Sequence, residues 1–141
     1  MTARLDPVAA APELMKTWLG ASIPLASSLE PTLTELVKIR ASQINGCANC
    51  INMHTVYARG DGETEQRIYL LPAWREAPCY TDRERAALGW TEALKAQFTE
   101  EEQVKLTLTI VVINGWNRIA VGFGGFVDPA AVKSAAKAAA A

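Results

Sequence analysis

Three residues near position 50 have the types and the spacing of a thiol redox site. Cys47, Cys50 and His54 lie in the run Gly-Cys-Ala-Asn-Cys-Ile-Asn-Met-His, and His54 is the only histidine in the chain. At about 100° per residue these three positions fall within about 60° of one another on a helix, so they share one face. A thiolate is the reactive form of cysteine, and a helix N-terminus or a neighbouring base favours it. The spacing therefore indicates a redox-active dithiol.

Two other interpretations of the cysteines stay open at this point. Two cysteines three residues apart also occur as ordinary small core residues. A structural zinc ion takes four protein ligands, commonly from two separated pairs, and only the isolated Cys79 remains to complete such a set. We therefore expect neither a metal nor another cofactor, and we expect Cys79 to be a loop or core residue.

Glu35 has two interpretations as well. The chain contains three Thr-x-x-Glu patterns, which begin at Thr32, Thr81 and Thr99. In this pattern the two side chains cap the start of a helix, so local sequence favours a capping role for Glu35. The helix that carries Glu35 nevertheless leads directly to the cysteines, which keeps a proton-handling role open. The three patterns predict helices at about 33–44, 82–97 and 100–120.

The remaining signals also predict helices. Asp6-Pro7 and Pro12-Glu13 favour an N-terminal helix that Pro24 ends or bends, and Asn45-Gly46 favours a stop followed at once by a helix from Cys47. A further helix is expected after residues 60–62, with Pro72 interrupting it. Residues 106–113 alternate like a strand, but a lone strand would have nothing to pair with, so we favour helix. The fold class is all-α in a single domain.

Composition narrows the class of protein further. The chain has 141 residues, 50% of them hydrophobic, and a net charge of -1, which suits one globular domain and gives no excess positive field for nucleic acid or anionic lipid. No uninterrupted apolar run approaches the ~20 residues of a membrane span. Three cysteines and no apparent secretory signal predict a reducing, cytoplasmic location. We expect an N-terminal extension over 1–11, a helical domain over 12–126 and an Ala-rich tail over 127–141.

The combined motif resembles a known family. Glu35, eleven residues, Cys47, two residues, Cys50, three residues and His54 resemble the motif of the alkylhydroperoxidase D (AhpD) family, within the carboxymuconolactone decarboxylase superfamily. Leu36-Val-Lys-Ile-Arg-Ala-Ser-Gln-Ile-Asn-Gly-Cys-Ala is similar to typical members, as are Ala73-Trp-Arg-Glu and Trp116-Asn-Arg. The similarity runs from about residue 12 to residue 124.

The resemblance implies an AhpD-like helical bundle that forms trimers or hexamers and a peroxidase that needs no haem or metal. Cys50 would attack an organic hydroperoxide, Cys47 would resolve the product as a disulfide, and His54 with Glu35 would carry protons. A lipoyl-bearing or thioredoxin-like protein would supply the reducing dithiol. This chain has Asn49 where the best-studied type of member has a second acid, and its stretch from 90 to 98 is shorter than in many relatives. A non-catalytic redox sensor or assembly module and a lactone decarboxylase are the alternatives.

Overall fold

The computed structural model describes residues 6–89 and 98–124, and all regular structure in these two ranges is helical. The all-α prediction is confirmed. Within these ranges, seven α-helices and one 3-10 turn follow in chain order: α1 (Pro7–Ala10), α2 (Pro12–Ala26), α3 (Pro31–Ile44), α4 (Ala48–Gly60), α5 (Glu65–Leu70), the 3-10 turn (Leu71–Ala73), α6 (Asp82–Gly89) and α7 (Glu100–Phe123).

Proline and acidic residues start the N-terminal helices as the sequence indicates. The Asp6 carboxylate accepts the backbone N–H groups of Val8 and Ala9, which caps α1, and Pro12 begins α2. Proline suits these positions because its missing N–H would have no partner in the first turn. Pro24 lies inside α2, which ends two residues later at Ala26. The expected single N-terminal helix is therefore two helices.

Two of the three capping patterns are present in the fold. The Thr99 hydroxyl accepts the N–H of Glu102, and the Glu102 carboxylate accepts the N–H of Thr99, which is the reciprocal arrangement at the start of α7. Thr81 and Glu84 make the same pair of contacts before α6. These short-range hydrogen bonds satisfy N–H groups that a helix leaves free at its first turn.

The capping prediction at Thr32 is wrong. Helix α3 begins at Pro31 with Glu30 as its N-cap, so Thr32 already lies within the first turn. Pro31 fixes a helical φ angle one residue before the threonine, so the helix starts ahead of the capping pattern and Thr32 is not its N-cap. The Glu35 carboxylate is consequently available for other partners. Ile44, at the C-terminal end of this helix, is 70% exposed.

Helix α7 resolves the ambiguity between strand and helix. Residues 106–113 lie in its middle, and Leu106, Val112 and Ile113 are buried. The helix has 24 residues and a mean hydropathy of 1.3 over its most apolar window, so by length and composition it could cross a membrane, although core helices of globular proteins meet the same test. Only 28% of that window is buried in the single chain.

Helix α3 is the centre of the domain, with α4, α6 and α7 packed around it. Leu36 and Ile39 on one side of α3 pack in a cluster with Leu71 and Trp74, while Leu33 on the other side packs with residues of α6 and α7. A central helix that is buried on both sides places its polar residues in the interior as well, and Glu35 is one of them.

Several predictions fall outside the described residues. They concern residues 1–5 of the extension, the later part of the helix expected over 82–97, the shortened stretch from 90 and the Ala-rich tail over 127–141.

Candidate active site

The tight connection between α3 and α4 positions the cysteine pair. Gly46 has a φ of 65°, in the left-handed region where glycine is favoured, and it links the end of α3 to the start of α4. The N–H of Cys47 donates to the carbonyl of Ser42 in α3. Cys47 is the N-cap of α4, and its sulfur accepts the N–H of Cys50 at 3.3 Å. The prediction of two helices meeting at the first cysteine is confirmed.

The two thiols are buried and adjacent. Cys47 is 1% exposed and Cys50 is 2% exposed, and their Sγ atoms lie 2.6 Å apart as free thiols. Burial raises the pKa of Cys50, and the adjacent Cys47 thiol raises it further. The charged form of Cys50 is disfavoured because the surrounding protein replaces the water that would solvate it. Cys50 therefore needs a base if it is to act as a nucleophile near neutral pH.

Glu35 and His54 form a buried pair between α3 and α4. Oε2 of Glu35 lies 2.7 Å from Nδ1 of His54, and both residues are 6% exposed. Burial acts to raise the pKa of Glu35, but the hydrogen bond and charge of His54 and the charge of Lys38 hold it below its ordinary value. An ionised carboxylate can only accept hydrogen bonds, so Nδ1 carries the hydrogen and Nε2 of a neutral ring is left as an acceptor.

His54 stands one helical turn after Cys50 on α4. Residues four apart on a helix are neighbours on its surface, with Cβ atoms about 5–6 Å apart. The two cysteines, His54 and Glu35 thus belong to one buried region, which has the constituents of a thiol and a general base.

Helix α7 supplies an apolar wall beside the thiols. Ile113 is buried against both cysteines, with Trp116 and Ala120 of α7 and Ala41 of α3 packed around them. Trp116 also donates its ring N–H to the Ser22 hydroxyl at 3.3 Å. In the run Trp116-Asn117-Arg118, Trp116 therefore borders the site, whereas Arg118 is exposed and donates to its own helix.

Lys38 is a member of the site that the sequence analysis does not single out. Its Nζ lies 2.9 Å from Oε1 of Glu35, with the lysine side chain 14% exposed. The spacing of three residues on one helix is the signal that identifies it, because such residues are surface neighbours.

Cys79 lies apart from the cysteine pair. It packs against a different core cluster, which contains Trp74, Ala77 and Tyr80. Within residues 6–89 and 98–124 no three side chains of histidine, cysteine, aspartate or glutamate are grouped so that they could hold a metal ion. Cys79 accordingly does not complete a ligand set with Cys47, Cys50 and His54.

An all-helical domain with a buried Cys-x-x-Cys pair, and a glutamate–histidine pair one turn away, defines an AhpD-like protein. Residues 10–93 match the model of the carboxymuconolactone decarboxylase family, and the chain belongs to this family.

One curated relative and one solved structure match nearly the whole chain. The uncharacterized protein YdfG of Bacillus subtilis is 42% identical over 88% of this chain and 96% of its own length. YnjA of Escherichia coli, also uncharacterized, is 28% identical over 48% of this chain and 37% of its own length. A crystal structure from Agrobacterium tumefaciens has a TM-score of 0.85 and 42% identity, and covers 90% of this chain and 99% of that one. It is described as a protein of unknown function and proposed antioxidant defence protein AhpD.

Proposed function

We propose that this protein is a thiol peroxidase that reduces organic hydroperoxides, with Cys50 as the peroxidatic cysteine and Cys47 as the resolving cysteine. One observation carries the proposal. A buried pair of thiols, 2.6 Å apart, shares a helix with a histidine whose Nδ1 is held by an ionised carboxylate. The match to the AhpD-like structure supports an antioxidant role of the same kind.

The first step removes the Cys50 proton. Because burial raises the pKa of Cys50, the thiol does not ionise unaided near neutral pH. His54 accepts the proton at Nε2, directly or through water, while Glu35 stabilises the positive charge that forms on the ring.

The Cys50 thiolate then attacks the terminal oxygen of the hydroperoxide. An S–O bond forms, the O–O bond breaks, and the alkoxide leaves as an alcohol with a proton returned from His54. Cys50 has become a sulfenic acid, oxidised by two electrons, and the peroxide is reduced by two. Cys47 attacks the Cys50 sulfur, an S–S bond forms, the S–O bond of the sulfenic acid breaks, and its hydroxyl leaves as water with the Cys47 proton. The disulfide protects Cys50 from further oxidation.

A dithiol donor closes the cycle by exchange. Two donor thiols reduce the Cys47–Cys50 disulfide and are themselves oxidised to a disulfide. We propose a lipoyl-bearing or thioredoxin-like protein as this donor, in a reducing cytoplasm. The apolar wall of Ile113, Trp116 and Ala120 beside the thiols supports an organic substrate, since an alkyl group gains free energy by leaving water for such a surface.

Peroxide consumption in the presence of dihydrolipoamide tests this function. We expect turnover by the parent protein, background rates for Cys50→Ser, and no sustained turnover for Cys47→Ser, which forms a sulfenic acid it cannot resolve. Cys79→Ser is the matched control and retains parental turnover, because Cys79 packs in another cluster. A Cys50→Ser protein as active as the parent would refute the assignment.

A redox-dependent assembly is the second candidate, and an exposed apolar face on α7 favours it. Val104, Val111 and Val121 are each more than half exposed in the single chain. We propose that such surface is covered in a homo-oligomer, a trimer or hexamer. Light scattering of the reduced and oxidised forms tests this. Oligomer size that changes on oxidation, with peroxide turnover at background, would favour a sensor over an enzyme.

A decarboxylase is the third candidate, and only the family match favours it. Decarboxylation of a lactone has no use for a buried dithiol. Turnover of a carboxymuconolactone by a protein with both Cys47 and Cys50 replaced by serine would support this function and count against the peroxidase.

A further inference from the structure

Both oxygens of the Glu35 carboxylate have a cationic or protonated partner. Oε2 lies 2.7 Å from Nδ1 of His54, and Oε1 lies 2.9 Å from Nζ of Lys38. The terminal torsion of a glutamate is broad, so a carboxylate held through one oxygen alone rotates readily. Contact through both oxygens fixes its plane and keeps Oε2 directed at the imidazole.

The ion pair between Lys38 and Glu35 is largely buried. The Lys38 side chain is 14% exposed and that of Glu35 is 8% exposed, so this ion pair is largely removed from water. Removing an ammonium group from water costs solvation free energy, so a gain in stability alone does not readily explain a lysine at this position. Its charge also partly offsets that of Glu35, because the two charges have opposite signs and lie 2.9 Å apart.

We propose that Lys38 is a positioning residue of the site, which fixes the Glu35 carboxylate on Nδ1 of His54, offsets part of its charge and leaves Nε2 of the ring as the nitrogen that takes the Cys50 proton. The proposal rests on the proposed function, since it concerns the group that takes the Cys50 proton. Without Lys38 the carboxylate would favour the protonated ring, which cannot act as a base.

The groups that face this pair come from several helices. His54 on α4 and Lys38 on α3 are the charged or titratable groups that act most strongly on Glu35. Cys47 and Cys50 lie at the start of α4, and α7 faces them with Ile113 and Trp116, which do not titrate. Helix α6 packs on α3 through Ala86 and Ala87.

Nitrogen-15 NMR of the untagged protein tests the proposal directly, because the chain has one histidine and therefore gives one imidazole signal set. The chemical shifts of its two nitrogens report the tautomer, and their pH dependence reports the titration midpoint of the Glu35–His54 pair. Lys38→Met removes both contact and charge, Lys38→Gln keeps a donor without charge, and Lys38→Arg keeps both. Arg40→Met is the matched control, since Arg40 donates to Gln43 on the same helix.

For Lys38→Met we expect the midpoint to rise by about one pH unit and the neutral ring to lose its preference for the Nδ1–H tautomer. We expect Lys38→Gln to raise the midpoint and keep the tautomer, and Lys38→Arg and Arg40→Met to match the parent. If circular dichroism shows that Lys38→Met does not fold, the titration midpoint of Lys38→Gln tests the proposal instead. A parental midpoint in Lys38→Gln, or an equal rise in Arg40→Met, would overturn the proposal. The NMR measurement uses no peroxide. A result against the role of Lys38 is therefore distinct from a result against peroxidase activity.

Discussion

Glu35 on α3 and His54 on α4 are hydrogen-bonded across the helix interface at 2.7 Å, although nineteen residues separate them in the sequence. This contact turns a carboxylate from a local capping pattern into the partner of the only histidine. It also fixes which ring nitrogen faces the carboxylate and which remains available as a base.

Glu35→Gln should reduce stability at pH 7 by about 1.5–3 kcal/mol, because glutamine keeps one acceptor oxygen but removes the buried negative charge that pairs with Lys38 and places an NH2 donor at one of the two contacts. The pKa of Glu35 is lowered in the fold. The ionised carboxylate therefore stabilises the folded state above the unfolded pKa of about 4.3, and this stabilisation is lost as the pH falls. The difference between variant and parent should therefore narrow below about pH 4.3. Urea unfolding of both proteins from pH 7 to pH 3 measures this difference in the free energy of unfolding. Glu13→Gln, at an exposed position on α2, is the control, and a constant difference at all pH values would contradict the expectation.

Reduced protein should lose stability at alkaline pH because of Cys50. Its pKa is raised by burial, so the folded state holds the thiol proton more tightly than the unfolded chain does. The stabilisation that this protonated thiol gives to the folded state is complete below the unfolded pKa of about 8.5. Above that pH the free energy of unfolding declines, by about 2 kcal/mol at pH 10. Urea unfolding with a phosphine reductant measures the slope. Cys50→Ser should flatten it and Cys79→Ser should leave it as in the parent; the same slope in all three proteins would disprove this assignment.

Thr99→Ala should destabilise the protein by about 1 kcal/mol, because Thr99 accepts the N–H of Glu102 at the start of α7. Thr32→Ala is the matched control from an identical sequence pattern. It should change stability by less than about 0.5 kcal/mol, since Thr32 is exposed within the first turn of α3 rather than at its cap. Thermal or urea unfolding distinguishes the two. Equal losses would mean that both patterns cap helices.

Gly115→Ala should weaken the contact between α2 and α7. A Cβ atom at this position would lie 2.7 Å and 2.8 Å from two ring atoms of Trp18, which itself packs against Trp116. Overpacking of this kind costs about 1–3 kcal/mol. Gly20→Ala is the control, because a Cβ there meets nothing within 4 Å and gains up to about 1 kcal/mol in helix propensity. Unfolding free energies test the pair, and a stabilised Gly115→Ala would show that the ring moves freely aside.

Local sequence signals located most of the helices. The threonine caps at 81 and 99, the prolines at 7 and 12 and the glycine at 46 act through neighbours within four residues, so their effects do not depend on the rest of the fold. The helix start at Pro31 departs from the prediction because two local signals compete there. Pro31 already has a helical φ angle, so the helix begins at the proline and not after the threonine.

The spacing of Cys47, Cys50 and His54 is enough to place them on one helical face, since about one helical turn separates each from the next. The tertiary structure decided what surrounds them. The pairing of Glu35 with His54, its second contact with Lys38 and the wall formed by Ile113 depend on how α3 and α7 pack against α4. Burial was decided there as well: removal from water raises the pKa of the Cys50 thiol and acts to raise that of the Glu35 carboxylate, which His54 and Lys38 hold below its ordinary value. No local spacing encodes that removal.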